Sequence, residues 1–221
     1  MTVLHLADEG EAADLAAFLS RLLHYDRGAA VRLQAAGTAL AVFGRPPSFE
    51  VLAIRAVRLA KPYENGLDVT LDVTVSAGEL LESVDESAAT AAVPAAVTGP
   101  PWAGVLPPRG GWQPVPGLPG PERLRGLVAA SVAEFRSRSE QLPPEQRTRA
   151  ELDRIGRELW SRTVADTGLP VRAVHAAQSL GFLRGEDQAL FSSGSWLRLR
   201  TPFGSVAVRR AGVGALGLSV R

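Results

Sequence analysis

Between Pro94 and Pro121 the chain carries nine of its 16 prolines and six glycines. Each proline removes a backbone donor and each interior glycine adds freedom that folding must freeze, so neither a helix nor a central strand survives at that density. The segment divides the chain into an α/β sheet part (1–93), a Pro/Gly-rich crossover (94–121) and a helical part ending in a β-hairpin (122–221). The crossover is no bare linker, because Trp102, Val105, Leu106, Trp112 and Val115 are apolar side chains for which a solvated tether has no use. It is expected to be ordered, extended or polyproline-like, and laid along a surface groove so that the flanking parts pack as one unit.

Before the crossover, Asp8 followed by Glu11 forms a capping box, and Leu15, Phe18, Leu19, Leu22 and Leu23 recur at helical spacing, which predicts a helix over 9–25. Two apolar runs, 30–36 and 38–44, meet at Gly37, and a Pro46–Pro47 turn precedes a third run over 49–60. Past a turn at Pro62–Gly66, Leu67, Val69, Leu71, Val73 and Val75 alternate with Asp68, Thr70, Asp72 and Thr74, the pattern of a strand with one wet face. Ser76 and Glu79 repeat the capping pattern and open a short helix through Val84.

After the crossover, Pro121 suits the first turn of a helix reaching Gln141, and a second helix follows Pro143 and Pro144 to about Ala165. Pro170 opens a third, which Gly181 ends, and Trp196–Arg200 with Ser205–Arg210 reads as a hairpin. The expected fold is α+β: an antiparallel sheet of about four strands with flanking helices, the crossover, then helices and a hairpin. No internal repeat is visible in the residues.

Composition narrows the chemistry. With 46% hydrophobic and 21% charged residues the chain is an ordinary globular one, and zero cysteines remove disulfides, thiolate nucleophiles and cysteine metal sites. Ser87–Pro108 is uncharged over 22 residues, but five prolines make it a poor bilayer span, and acidic residues interrupt any export signal in the first thirty positions. A cytoplasmic protein without a membrane partner is expected.

Among motifs, Gly212, Gly214 and Gly217 have dinucleotide-fingerprint spacing, but the four residues that follow cannot make the phosphate-binding helix, so no cofactor is expected. His5, His24 and His175 stand in no metal-ligand or nucleophile pattern, and Asp68 with Asp72 fits a solvated sheet face at least as well as a cation site. Catalytic residues are therefore not assigned, and no metal ligands are expected.

Two groups of residues are candidates for binding. Trp102, Arg109 and Trp112 combine the side chains most enriched at hot spots with a flexible Gly pair, and would take a ligand or partner unless they simply anchor the crossover. Arg172, His175 and Gln178 share one side of the third C-terminal helix, and Arg198, Arg200, Arg209 and Arg210 lie on the hairpin after it, an order resembling a winged helix. Residues 1–110 hold 8 basic and 13 acidic side chains (−5) and 111–221 hold 16 and 10 (+6), so the basic end is the one bearing that motif. The sequence points to a non-catalytic interaction or adaptor protein with a protein partner. The alternatives are nucleic-acid binding through the C-terminal part and an enzyme built on carboxylates and arginine.

Overall fold

The computed structural model describes residues 2–36, 38–47, 49–60 and 71–210. Strand β1 (Val3–His5) leads into helix α1 (Glu9–Tyr25), which starts where Asp8 accepts the Glu11 amide at 2.9 Å. An antiparallel meander follows: β2 (Ala30–Ala36), β3 (Ala39–Gly44) and β4 (Leu52–Arg58), with β5 (Asp72–Ser76) returning to pair with β2. Helix α2 (Ala77–Glu82), capped by Ser76, and the short strands β6 (Val84–Asp85) and β7 (Thr90–Ala92) complete the first part. Strand β8 (Gln113–Val115) precedes helices α3 (Pro121–Gln141), α4 (Arg149–Ser161) and α5 (Val171–Ser179). A second meander, β9 (Ala189–Ser193), β10 (Trp196–Thr201) and β11 (Gly204–Arg209), ends the described chain.

The fold is α+β with antiparallel sheets, but the sheets have eight and three strands rather than about four. The larger runs β5-β2-β3-β4-β11-β10-β9-β8, and the smaller is β1-β7-β6. The difference arises at β4, whose outer edge is not free: Leu52, Ala53 and Ile54 face Ala207, Val206 and Ser205 of β11. The C-terminal hairpin is thus the interior of a shared sheet, with β4 on one side and β9 on the other. An unpaired β4 would have left apolar residues on an exposed edge, the arrangement that invites aggregation. The same order, a helix and then a three-stranded meander, occurs on both sides of this seam: α1 packs on β4, and α5 packs on β11.

Register sorts every side chain to a face. Val31, Leu33, Leu40, Val42, Val57, Val75, Leu197, Leu199, Val206 and Val208 point toward the helices and are buried with Leu15, Phe18, Leu19, Leu22 and Val174 in the main core. Charge is buried in the same layer. Arg55, 5% exposed, donates to Glu11 of α1 at 3.0 Å, lies 3.2 Å from Asp14, and donates to the Phe203 carbonyl at 2.9 Å in the β10–β11 turn. Arg58 also reaches Glu11, at 2.8 Å. At the same turn a Cβ on Gly204 would lie 2.5 Å from the Phe182 ring, which stacks on Phe18 of α1 with centroids 5.7 Å apart, so only glycine lets the turn close there.

Helices α3 and α4 form a hairpin laced by Arg138–Glu158 at 2.7 Å and Arg162–Glu134 at 2.6 Å. Hydrogen bonding to Arg138, helped by Arg162, holds the Glu158 carboxyl down to about 2. The residues 61–70 and 211–221, including Leu67, Asp68, Val69 and the glycines Gly212, Gly214 and Gly217, lie outside the described residues.

Because Val75 is fully buried and its neighbour Thr74 faces the other side of the sheet, aspartate should separate the two positions. Val75→Asp is expected to cost several kcal/mol in urea unfolding and Thr74→Asp about 1 kcal/mol. Equal losses would contradict the assigned faces.

Candidate binding face beneath the proline-rich strap

The second face of the sheet presents Phe43, Leu52, Ile54, Trp196 and Ala207, a buried apolar cluster separate from the main core. No helix covers it. The crossover does, with Trp102, Leu106 and Trp112 packed on the cluster.

Composition follows from the distance to be covered. The Val97 amide donates to Thr74 on β5, and Gln113 pairs with Ser192 on β9, so the chain crosses from one side of the sheet to the other. Gln113 lies in β8, seven places from β5 in the sheet, and seven strand spacings of roughly 4.8 Å make about 34 Å. The 16 steps from Val97 to Gln113 would span only about 24 Å as a helix but about 50 Å as polyproline, enough to cross obliquely above the side chains. A single 3-10 turn, Pro101–Gly104, sets Trp102 down on the cluster.

Polar contacts pin the strap between these ends. Arg32, on the strap side of β2, bonds the Ala103 carbonyl and pairs with Asp72 at 2.7 Å, while Gln34 donates to the same carboxylate at 3.1 Å. The Arg32 hydrogen bond chiefly holds the Asp72 carboxyl below its usual range, with Gln34 and the charge of Arg109 adding to it. Further on, the Trp112 indole donates to the Pro108 carbonyl at 3.0 Å, and the Ser193 hydroxyl donates to the Gly110 carbonyl at 3.3 Å.

Of the clefts along the strap, two adjoin the apolar cluster. One, of about 410 Å³, has Ala41, Phe43, Ile54 and Ala56 as its floor and Pro107, Pro108, Arg109 and Arg198 along its side, with Gln34 and Asp72 at one end. The other, of about 420 Å³, is lined by Arg45, Glu50, Leu52, Trp102, Val105, Arg172, Trp196 and Arg209.

The structure therefore brings together residues from both sequence-derived groups. Trp102 shares a cleft with Arg172 and Arg209, and Arg109 shares one with Arg198. Three arginines on this face lie over rings: Arg198 over Trp112 at 5.8 Å, Arg200 over Phe191 at 5.2 Å and Arg209 over Trp196 at 5.7 Å. Such stacking holds a guanidinium plane in place and leaves its N–H edges free to donate. Among the described residues, Arg45, Arg109, Arg198, Arg200 and Arg209 have no carboxylate within 4.0 Å; Arg55 and Arg58 of β4 and Arg138, Arg154 and Arg162 at the α3–α4 hairpin are paired, while Arg123, Arg125, Arg136 and Arg157 of that hairpin are not.

The remaining candidates sit elsewhere. His175 is half-buried between Trp160, with centroids 4.7 Å apart, and Phe49, at 5.1 Å, and burial pushes its imidazole below the usual histidine range. Gln178 is exposed on α5, and Arg210, also exposed, donates its amide to the Ser195 carbonyl at 2.7 Å. Helix α5 packs on β11 as well as on α3 and α4. Arg45, Gln34 and Asp72 join the face without having been candidates, since only strand register shows that they share it.

Residues 1–104 match the model of one family, described as Domain of unknown function (DUF8010), and residues 107–213 that of another, Domain of unknown function (DUF8185). No curated protein matches the chain. The junction of the two matches falls inside the strap, between Trp102 and Trp112. Among the described residues no helix is long and apolar enough to cross a membrane, and no group of three or more His, Asp or Glu is placed to hold a metal ion.

If Arg32 fastens the strap, Arg32→Met should raise amide hydrogen exchange over Ala103–Trp112 at least tenfold while Leu33 and Val42 in the core keep their protection. Unchanged exchange across the strap would remove Arg32 from that role.

Proposed function

We propose that this is a non-catalytic cytoplasmic interaction protein whose strap face takes an acidic, partly apolar segment of a protein partner. The observation that carries the reading is the gathering of unpaired arginines with rings and apolar clefts on one face. Arg45, Arg109, Arg198 and Arg209 line the two clefts, and Arg198, Arg200 and Arg209 lie over rings, with no described carboxylate within 4.0 Å of any of the five. Unneutralised guanidinium groups over rings, beside Trp102 and Val105, offer bidentate donors to carboxylates and apolar surface to neighbouring side chains. The absence of cysteine supports the reducing compartment.

Nucleic acid is the competing polyanion, favoured by Arg172 and Arg209 sharing one cleft with Trp102. It would meet the same cations, but a duplex needs a regular row of phosphates rather than a cleft.

Titration of the purified protein with an alternating Glu/Leu peptide, followed by tryptophan fluorescence, separates these readings. Binding is expected at about 10–100 μM at low salt, weakening as salt rises, with the Lys/Leu counterpart inert. Arg45→Ala with Arg209→Ala should weaken it roughly tenfold. Tighter binding of mixed-sequence duplex DNA than of the acidic peptide would transfer the face to nucleic acid, and no binding of either would overturn the reading.

A further inference from the structure

The cleft between the strap and β2–β4 differs from the rest of the face in its more strongly apolar lining. Its floor is apolar, formed by Ala41, Phe43, Ile54 and Ala56, with Pro107 and Pro108 as a wall. Ala41 and Ala56 are direct cross-strand neighbours, so two methyl groups occupy positions where larger side chains would fill the space. At about 410 Å³ it falls within the range of small-molecule sites and is too small for a folded partner.

Its polar groups are unevenly satisfied. Asp72 is fully engaged by Arg32 and Gln34, so its charge is compensated. Arg198 is not: its Nε is buried with no hydrogen-bond partner, no described carboxylate lies within 4.0 Å, and its only specific neighbour is the Trp112 ring. Burial and the nearby Arg200 lower its proton affinity, as for a cation that lacks a counter-charge. A half-buried guanidinium without a partner is costly in a folded protein, and one lining an apolar cleft is arranged as an anion receptor.

We propose that this cleft binds a small organic acid, an apolar body carrying a single carboxylate, with Arg198 receiving the carboxylate and Phe43, Ile54, Ala41 and Ala56 receiving the body. Arg198 donates through its two Nη groups, a bidentate geometry that suits a planar carboxylate, and Trp112 lies against the guanidinium plane. Asp72 excludes a second negative charge from the far end. The site lies on the same strap face as Arg45, Arg200 and Arg209 and uses an arginine of the same unpaired set, but it needs no protein partner.

The test is calorimetric titration of the intact protein with benzoate, naphthalene-2-carboxylate and octanoate, each beside its uncharged primary amide. Saturable binding of at least one acid in the micromolar to low millimolar range is expected, with its amide at least tenfold weaker. Arg198→Gln should lower affinity for the acid tenfold or more and leave the amide unchanged. Ala56→Leu, which fills the floor but keeps Arg198, should abolish binding of acid and amide alike, and it carries the test should Arg198→Gln fail to fold. Three results would each overturn the proposal: no saturable binding of any acid, equal binding of acid and amide, or undiminished binding by folded Ala56→Leu.

Discussion

The pairing of β4 with β11 is the constraint on which the rest of the molecule depends. It joins two helix-and-meander units into a single sheet, and it does so at strands that are buried on both faces: Leu52, Ala53 and Ile54 against Ser205, Val206 and Ala207. Backbone ladders alone tolerate slippage, so the register needs a fixed point. Arg55 supplies it, tied at once to Glu11 and Asp14 of α1 and to the Phe203 carbonyl in the opposite hairpin. Paired buried charges add little net stability over an apolar substitute, but they penalise every register that leaves the guanidinium without its carboxylates. Phe182, stacked on Phe18 and seated over Gly204, ties the same corner from the apolar side.

A sheet this wide has two faces to bury, and α1 and α5 cover only one. The other is closed by a chain that must cross some seven strand spacings, which explains why the most proline-rich stretch of the sequence is also where Trp102 and Trp112 stand. A narrow strap cannot cover the whole face, so clefts remain along its two margins. Strand alternation sends Trp196, Arg198 and Arg200 of β10, with Arg209 of β11, to this side, so the clefts come out lined with cations and rings. Coverage of the sheet and the character of its binding face thus have one origin.

The helices were legible in the sequence because their signals are local. Asp8 with Glu11 and Ser76 with Glu79 cap helices where the spacing places them, and Pro121 stands at the first turn of α3. The width of the sheet was not legible. Near-continuous apolar runs over 39–43, 51–54 and 205–208 are the mark of strands buried on both faces, but such a run does not say which strand lies beside it. Strand β8 contains Pro114, and β9 is a short mixed run, so neither announces itself. For the same reason Trp102, Arg109 and Trp112 could be singled out as unusual, while their convergence with Arg45, Arg172, Arg198 and Arg209 depended on pairing across the seam.

One cooperative sheet makes a direct thermodynamic demand. In urea, the loss of protection at Leu33 in β2 and at Leu197 in β10, followed by native-state hydrogen exchange, should share one midpoint and one slope, coincident with the change in tryptophan fluorescence. A single shared transition is the expected result. Separate transitions, with Leu33 and Leu197 losing protection at different urea concentrations, would show that the β4–β11 seam does not hold the two meanders together and would contradict the account at its centre.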